Sequence, residues 1–364
     1  MPFSSTDHAA MARALQLAAR GLCSTSPNPR VGCVLMRDGK LIAEGWHQRA
    51  GGPHAEAMAL QLAGTAAHGA TAYVSLEPCS HFGRTPPCAD ALIEAGVSRV
   101  VAAIADPNPS VSGRGLRRLA DAGIEVACGL LADAAQELNI GFIQRMRHER
   151  PWVRMKMAAS LDGKTALDNG LSQWITGPSA RADGQRWRAR ACAVLTGIGT
   201  VLKDDPLLNV RLADCQRQPL RVIVDAALDI PPTARILAGP PVILATANAD
   251  PARQLALQAA GHRVLHLPDG RGKVDLKALL QTLAALEINE LHLEAGASLS
   301  AAFVAAGLVD EFLLYLAPML IGHHGRGLLD LPALTCLDQA LRLEIRELRQ
   351  LGEDIRILAR PLKP

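Results

Sequence analysis

Four side chains in the first part of the sequence are of types that do metal chemistry. They are His54 and Glu56, in Pro53-His54-Ala55-Glu56, and Cys79 and Cys88, in a later stretch that opens at Pro78. One imidazole and two thiolates give Zn2+ three protein ligands and leave the fourth tetrahedral position to water, the arrangement of a catalytic rather than a structural site. Glu56, just past His54, can lie beside the metal without ligating it. A metal that lowers the pKa of water, and a carboxylate that carries its proton to a ring nitrogen and on to departing ammonia, make up hydrolytic deamination of an amino-substituted ring. A single His or buried Cys is more often packing than ligand. Four fitting residue types in order, each pair beside a proline and at the start of an expected helix, are much harder to obtain by chance. Helix starts also favour thiolate over thiol. A structural zinc would want a fourth protein ligand, which His81 could supply.

The elements that must position these residues alternate. Strand-like stretches run over 31–36, 41–45, 71–76, 100–104 and 124–128, with helices beginning near Ala55, Pro87 and Gly115. Such alternation predicts a largely parallel sheet layered with helices. An N-terminal helix precedes it, capped by Ser5, Thr6 or Asp7, with Met11, Leu15, Ala18 and Leu22 on one face and Gly21 at its end. Residues 132–148 read as one further helix, and Arg150-Pro151 marks the domain boundary. This gives domains at 1–148 and 149–364. The second domain repeats the alternation, with strands over 152–158, 193–196, 221–224, 242–245, 264–267, 291–294 and 311–317. Its helices lie near 179–190, 251–260, 274–286 and 298–306, and strands near 343–348 and 353–358 complete its sheet. The fold class is α/β in both domains.

Composition narrows the partners. A net charge of +3 and 3% aromatic residues supply neither a strong phosphate-binding field nor many stacking platforms, so a nucleic-acid substrate is not expected. No apolar stretch is long enough to span a bilayer, and the N-terminus lacks the features of a secretory signal. The eight cysteines are scattered through a large chain and read as reduced thiols, which points to the cytoplasm.

The His-Ala-Glu and Pro-Cys pair resembles the cytidine deaminase-like zinc enzymes, although eight residues separate Cys79 from Cys88 where that group has Pro-Cys-x-x-Cys. The long form, Glu77-Pro-Cys-Ser-His-Phe-Gly-Arg-Thr-Pro-Pro-Cys88, looks like the deaminase half of the bifunctional riboflavin-biosynthesis deaminase/reductases, as do Ser26-Pro-Asn-Pro-Arg-Val-Gly-Cys33 and the N-terminal helix. A deaminase of tRNA would be expected to show the short cysteine spacing and a basic face, and neither is evident. The resemblance implies a three-layer cytidine deaminase-like domain. Its substrate would be a small phosphorylated pyrimidine, a diaminopyrimidinone carrying a ribosylamino phosphate. It implies Asn28 as a ring contact, with His81 and Arg84 near the base or phosphate.

The second half says less by itself. No Gly-x-Gly-x-x-Gly follows a strand, which disfavours a standard dinucleotide fold. Glu294-Ala-Gly-Ala-Ser-Leu-Ser300 is a small-residue turn between a strand and a helix, whose amides could hold a pyrophosphate. Lys156-Met-Ala-Ala-Ser-Leu-Asp-Gly-Lys-Thr165, Gln173-Trp-Ile-Thr-Gly177, the 197–211 stretch and Glu294-Ala-Gly296 are similar to the reductase half of the same family. That half resembles dihydrofolate reductase in fold and uses NADPH. The resemblance sets NADPH against Ala158, Trp174, Thr200, Asp204 and the turn of Gly296, Ala297, Ser298, Leu299, Ser300, Ala301 and Ala302. It sets substrate against Ser172, Arg188, Leu208, Arg211 and Glu294. A guanidinium fork matches phosphate oxygens, which suits Arg188 and Arg211 as clamps. Lys156 or Asp204 is the candidate to assist protonation or hold the opened sugar. The resemblance also implies a homo-oligomer joined through the reductase domains.

Overall fold

The structure, a computed structural model, describes residues 3–80, 86–109, 111–213, 215 and 217–362. It divides into two units, Met1–Glu149 and Arg150–Pro364.

The first unit begins with helix α1 (Ser5–Ala19), then strands β1 (Gly32–Arg37) and β2 (Lys40–Trp46), helix α2 (Ala55–Ala63), strand β3 (Thr71–Val74) and helix α3 (Cys88–Glu94). It continues through β4 (Arg99–Ala102), α4 (Arg114–Asp121), β5 (Glu125–Cys128), α5 (Ala132–Leu138) and α6 (Ile140–His148). The cap of α1 is Ser4, not Ser5, Thr6 or Asp7. Its hydroxyl accepts from the Asp7 amide at 3.1 Å while the Asp7 carboxylate accepts from the Ser4 amide at 2.8 Å, a reciprocal capping box.

The five-stranded sheet runs β2-β1-β3-β4-β5. It is mixed rather than largely parallel: β1 is antiparallel to both β2 and β3, and only β3, β4 and β5 run parallel. The cause is Asp38-Gly39, both at positive φ (52° and 75°), which close β1 onto β2 as a hairpin. Alternating residues then feed two cores. Cys33, Leu35, Ala72, Val74 and Val100 face α2, α3 and α4, while Val34, Tyr73 and Val101 face α1, α5 and α6. The result is three layers, helix on sheet on helix. The expected single helix over 132–148 is interrupted at Asn139, whose φ of -109° and ψ of 20° leave helical geometry. The carboxamide there is 1% exposed and bonded to the backbone of Arg30.

The second unit contains β6 (Trp152–Ser160), β7 (Lys164–Ala166), α7 (Pro178–Arg190), β8 (Ala193–Gly197), α8 (Ile198–Asp204), β9 (Leu220–Val224), β10 (Val242–Thr246), α9 (Pro251–Ala259) and β11 (Arg263–His266). It ends with α10 (Leu276–Ala285), β12 (Glu290–Leu293), α11 (Ala297–Ala305), β13 (Glu311–Ala317), β14 (Arg326–Gly327), β15 (Leu343–Leu351) and β16 (Asp354–Pro361). Nine strands form one sheet in the order β11-β10-β9-β8-β12-β6-β13-β16-β15, and β14 pairs with β7 as a separate ribbon. The sheet is parallel from β11 to β13, after which β16 and β15 return antiparallel. Strand β12 fills the slot between β6 and β8, where the strand order reverses, and in open parallel sheets ligands bind at the carboxyl ends of the strands beside such a point. One face of this region is apolar, with Val153, Met155, Leu195, Leu291 and Leu293 against α10 and α11. On the other, Arg154, Glu290 and His292 are buried charged or polar groups near α7, where the Trp187 ring lies 4.5 Å from the Arg154 guanidinium. Among the described residues no helix is long and apolar enough to cross a membrane.

Candidate active sites

His54 is the N-cap of α2, and Glu56 stands in that helix's first turn. Gly45 on β2 fixes how closely α2 approaches, because a Cβ there would sit 2.5 Å from the Ala55 carbonyl. Cys88 is the first residue of α3, and its amide donates to the Cys79 sulfur at 3.3 Å. Behind Cys79, the buried Glu77 carboxylate accepts from the amides of Asp106 and Gly113 at 2.9 Å, and from Gly115 at 2.9 Å and Leu116 at 3.3 Å. Gly115 itself lies so close that a Cβ would meet the Pro78 carbonyl oxygen at 1.9 Å. The cysteine-bearing turn is therefore locked to the start of α4.

This packing brings the His54 Nδ1 to 3.2 Å from the Cys88 sulfur and 3.6 Å from the Cys79 sulfur. The three donor atoms all lie within 4.8 Å of one another. Tetrahedral ligands at zinc's usual bond lengths stand about 3.5 Å apart, so the set fits that ion with a position to spare. The hydrogen bond from Cys88 pulls the Cys79 thiol down, toward thiolate, and that same bond together with burial pushes Cys88 up. The bond to Cys79 raises His54. Burial pushes the Glu56 carboxyl up to about 7, with His54 pulling the other way. That value suits a group that must both take and give a proton near neutrality.

Asn28 is half-buried, and its Nδ2 lies 3.1 Å from the His47 Nε2. The His47 Nδ1 reaches the Pro53 carbonyl at 2.9 Å, and its ring meets that of His54 edge to face at 5.5 Å. A carbonyl only accepts, so Nδ1 carries the proton and Nε2 accepts from Asn28. Sequence reasoning missed His47, whose partners, the Pro53 carbonyl and an Asn28 side chain 19 residues earlier, leave no motif to find. His81 and Arg84 lie outside the described residues.

In the second unit, Arg188 and Glu294 pair with each other. Nε and Nη2 donate to the two carboxylate oxygens at 2.8 and 2.9 Å, and Nη1 donates to the Asn209 carbonyl at 2.7 Å. Burial opposes charge on Glu294, but Arg188, His292 at 3.2 Å and the nearby Lys156 hold its carboxyl well below the usual range. Lys156 and Ala158 are half-buried on β6. Gly296 caps α11, which puts Ala297, Ser298 and Leu299 in the helix's first turn, where amides are unpaired by the helix itself. Buried Ser300 and Ala301 and exposed Ala302 follow. Leu299 approaches the β8–α8 turn, 3.0 Å from where a Cβ on Gly197 would stand, which brings Thr200 to the same region. Trp174 is 67% exposed beneath the Arg181 guanidinium at 4.7 Å, and Ser172 is half-buried in the same loop. Leu208 is buried at a φ of 51°. Asp204 and Arg211 are exposed, and among the described residues no ion pair joins them to the Arg188–Glu294 cluster. His292 and Asn209 are further members that the sequence did not single out.

Residues 4–104 match the cytidine and deoxycytidylate deaminase zinc-binding region, and residues 151–357 match the RibD C-terminal domain. The chain is 48% identical to riboflavin biosynthesis protein RibD of Escherichia coli strain K12, over 95% of this chain and 96% of that one. The chain belongs to the RibD family. Its two units are the zinc-binding deaminase and the reductase of that family, the second with a dihydrofolate reductase-like fold, and it is an enzyme of riboflavin biosynthesis that uses zinc and NADPH. Among solved structures, Acinetobacter baumannii RibD, form 1, is similar with a TM-score of 0.92 at 46% identity, covering 98% of this chain and 99% of that one. A diaminohydroxyphosphoribosylaminopyrimidine deaminase/5-amino-6-(5-phosphoribosylamino)uracil reductase from Thermotoga maritima is similar with a TM-score of 0.88 at 33% identity, covering 98% and 99%.

Proposed function

We propose that the first unit, residues 1–148, hydrolytically deaminates the diaminopyrimidinone ribosylamino phosphate, and that residues 149–364 reduce the resulting aminouracil's ribosylamino group to ribitylamino. The observation that carries this reading is the donor set of His54, Cys79 and Cys88 with Glu56 buried beside it. Zinc held by those three ligands supplies Lewis acidity toward water. Glu56 takes one proton from the water and gives it to the ring nitrogen, then takes the second from the resulting hydroxyl and gives it to the departing amine, so that water and a ring amino group become a ring carbonyl and ammonia. Asn28, oriented by His47, contacts the ring. His81 and Arg84 serve the base or phosphate end.

In the reductase step NADPH supplies a hydride to the sugar C1 of the opened imine. Ala158, Trp174, Thr200, Asp204 and residues 296–302 hold the cofactor. Ser172, Leu208, Arg211, Glu294 and Arg188 hold the substrate, with Arg188 acting in company with its carboxylate partner. Lys156, drawn to Glu294, is better placed than exposed Asp204 to steady the opened sugar. The substrate is a free small molecule rather than a nucleic acid, in keeping with the net charge of +3, and the thiol-rich chain works in the cytoplasm. Two copies associate through the reductase unit, because β15, the edge strand among the described residues, presents Ile345 (60% exposed) and Leu348 (63%).

The test is incubation of zinc-replete protein with the diaminopyrimidinone phosphate, following ammonia and then NADPH oxidation. A chelator should abolish the first and spare reduction of added aminouracil substrate. Absence of both activities overturns the reading.

A further inference from the structure

The interruption of the 132–148 helix has a cost and therefore a cause to be found. Asparagine is a poorer helix former than the alanines before it, by a few tenths of a kcal/mol, and Asn139 places its carboxamide in the interior at 1% exposure. There it pairs with both backbone groups of one residue. The Arg30 amide donates to Oδ1 at 2.8 Å, and Nδ2 donates to the Arg30 carbonyl at 2.9 Å. Arg30 answers with its guanidinium, which donates to the Leu138 carbonyl at 2.7 Å and to the Leu22 carbonyl at 3.2 Å. The first three bonds stitch the 22–30 loop to the gap between α5 and α6, and the fourth closes the loop on itself.

Pro29 alone separates Arg30 from Asn28, and its ring fixes one backbone dihedral of that short arm. The Asn28 amide donates to the Thr25 carbonyl at 2.9 Å, and its side chain reaches His47. Residue 139 also falls outside both stretches that match known families, 4–104 and 151–357.

We infer that Asn139 is a positioning residue for deamination: by clasping Arg30 it sets the depth and angle at which Asn28 meets the substrate ring. The inference rests on the reading that Asn28 contacts that ring. A local rule broken inside a helix, with every polar atom of the offending side chain satisfied by one loop, is the pattern of a residue retained for what it holds.

Asn139→Leu keeps the breadth of the side chain and removes the clasp. Losing hydrogen bonds to a misplaced loop is expected to raise the deaminase KM about tenfold, with kcat nearly unchanged because ground and transition states lose the contact alike. Zinc should remain at one per chain and the NADPH-dependent activity at its wild-type value, two readouts that general damage to the fold would move. Should Asn139→Leu not accumulate as folded protein, Arg30→Lys removes the fork to Leu138 and Leu22 and is expected to raise KM in the same direction by less. Asn28→Ala is run in parallel. If Asn28→Ala impairs deamination while the clasp variants keep wild-type KM, the inference fails alone. If Asn28→Ala leaves deamination untouched, the ring-contact reading fails and the inference with it. Loss of zinc in proportion to activity in the clasp variants also overturns it, since that marks a role in stability only.

Discussion

Glu56 combines near-complete burial with a proton affinity lifted into the neutral range, because burial and the neighbouring Cys79 sulfur together outweigh the opposing pull of His54. Glu56→Gln keeps the shape and removes the proton carrier. Ammonia release should fall at least about 10²-fold, while zinc content and NADPH oxidation on the aminouracil substrate stay at wild-type values. In the second unit, Arg188→Met leaves the Glu294 carboxylate without its bidentate partner. Removing one member of a buried pair typically costs about 3–5 kcal/mol, so the urea midpoint of that unit should drop, and pairing the change with Glu294→Gln should restore much of it. His54, Glu56, Cys79 and Cys88 were legible in the sequence because zinc chemistry restricts residue type and because His54, Glu56 and Cys88 stand at helix starts. Asn139 was not, because its partners are the backbone atoms of Arg30, nor was His47, held by the Pro53 carbonyl and by an Asn28 side chain 19 residues earlier.

At the scale of elements, the zinc site is the meeting of two helix starts that glycines allow to approach, Gly45 under α2 and Gly115 against Pro78. A third helix start anchors the layer beneath. Asp7 in α1 accepts from the Tyr73 hydroxyl on β3 at 2.6 Å, from Arg99 on β4 at 2.7 Å and from Ser4 at 2.8 Å. Burial opposes its charge, but these donors outweigh burial and hold the carboxyl well below the usual carboxylate range. Its folded-state pKa is depressed, so the stability it contributes is present above the unfolded value near 3.8 and lost as pH falls below it. Asp7→Asn should therefore destabilise the first unit by about 1–3 kcal/mol at pH 7, and the gap to wild type should narrow in chemical denaturation at acid pH. Most strand and helix positions followed from periodicity, although short α8, β7 and β14 were missed, but strand direction in the first sheet did not follow, although Asp38-Gly39 was its signal. The helix break at Asn139 escaped because periodicity continues through it.

At the scale of the molecule, the two units carry unlike chemistries on unlike sheets, one mixed and one parallel through seven strands. Edge strand β15 exposes Leu343, Ile345 and Leu348. These three stand among the exposed charges of Glu344, Arg346, Glu347 and Arg349, so the edge suits a specific meeting with a second copy better than indiscriminate pairing. Leu348→Glu should shift the protein toward the monomer in sedimentation velocity, with deaminase turnover unchanged. The order of strands in the large sheet was beyond sequence reasoning, since neighbours such as β6 and β12 lie far apart along the chain and nothing local pairs them.

That order also dictates how the protein is born. Strands β6 and β8 leave the ribosome long before β12, the strand that fills the slot between them. At the usual pace of translation this slot stays open for on the order of ten seconds. Until then the facing edges of β6 and β8 lack their partner strand on the nascent chain, and the reductase sheet can close only once β12 has emerged. Chaperone demand during synthesis should accordingly concentrate on this late window, after the deaminase unit has already emerged whole.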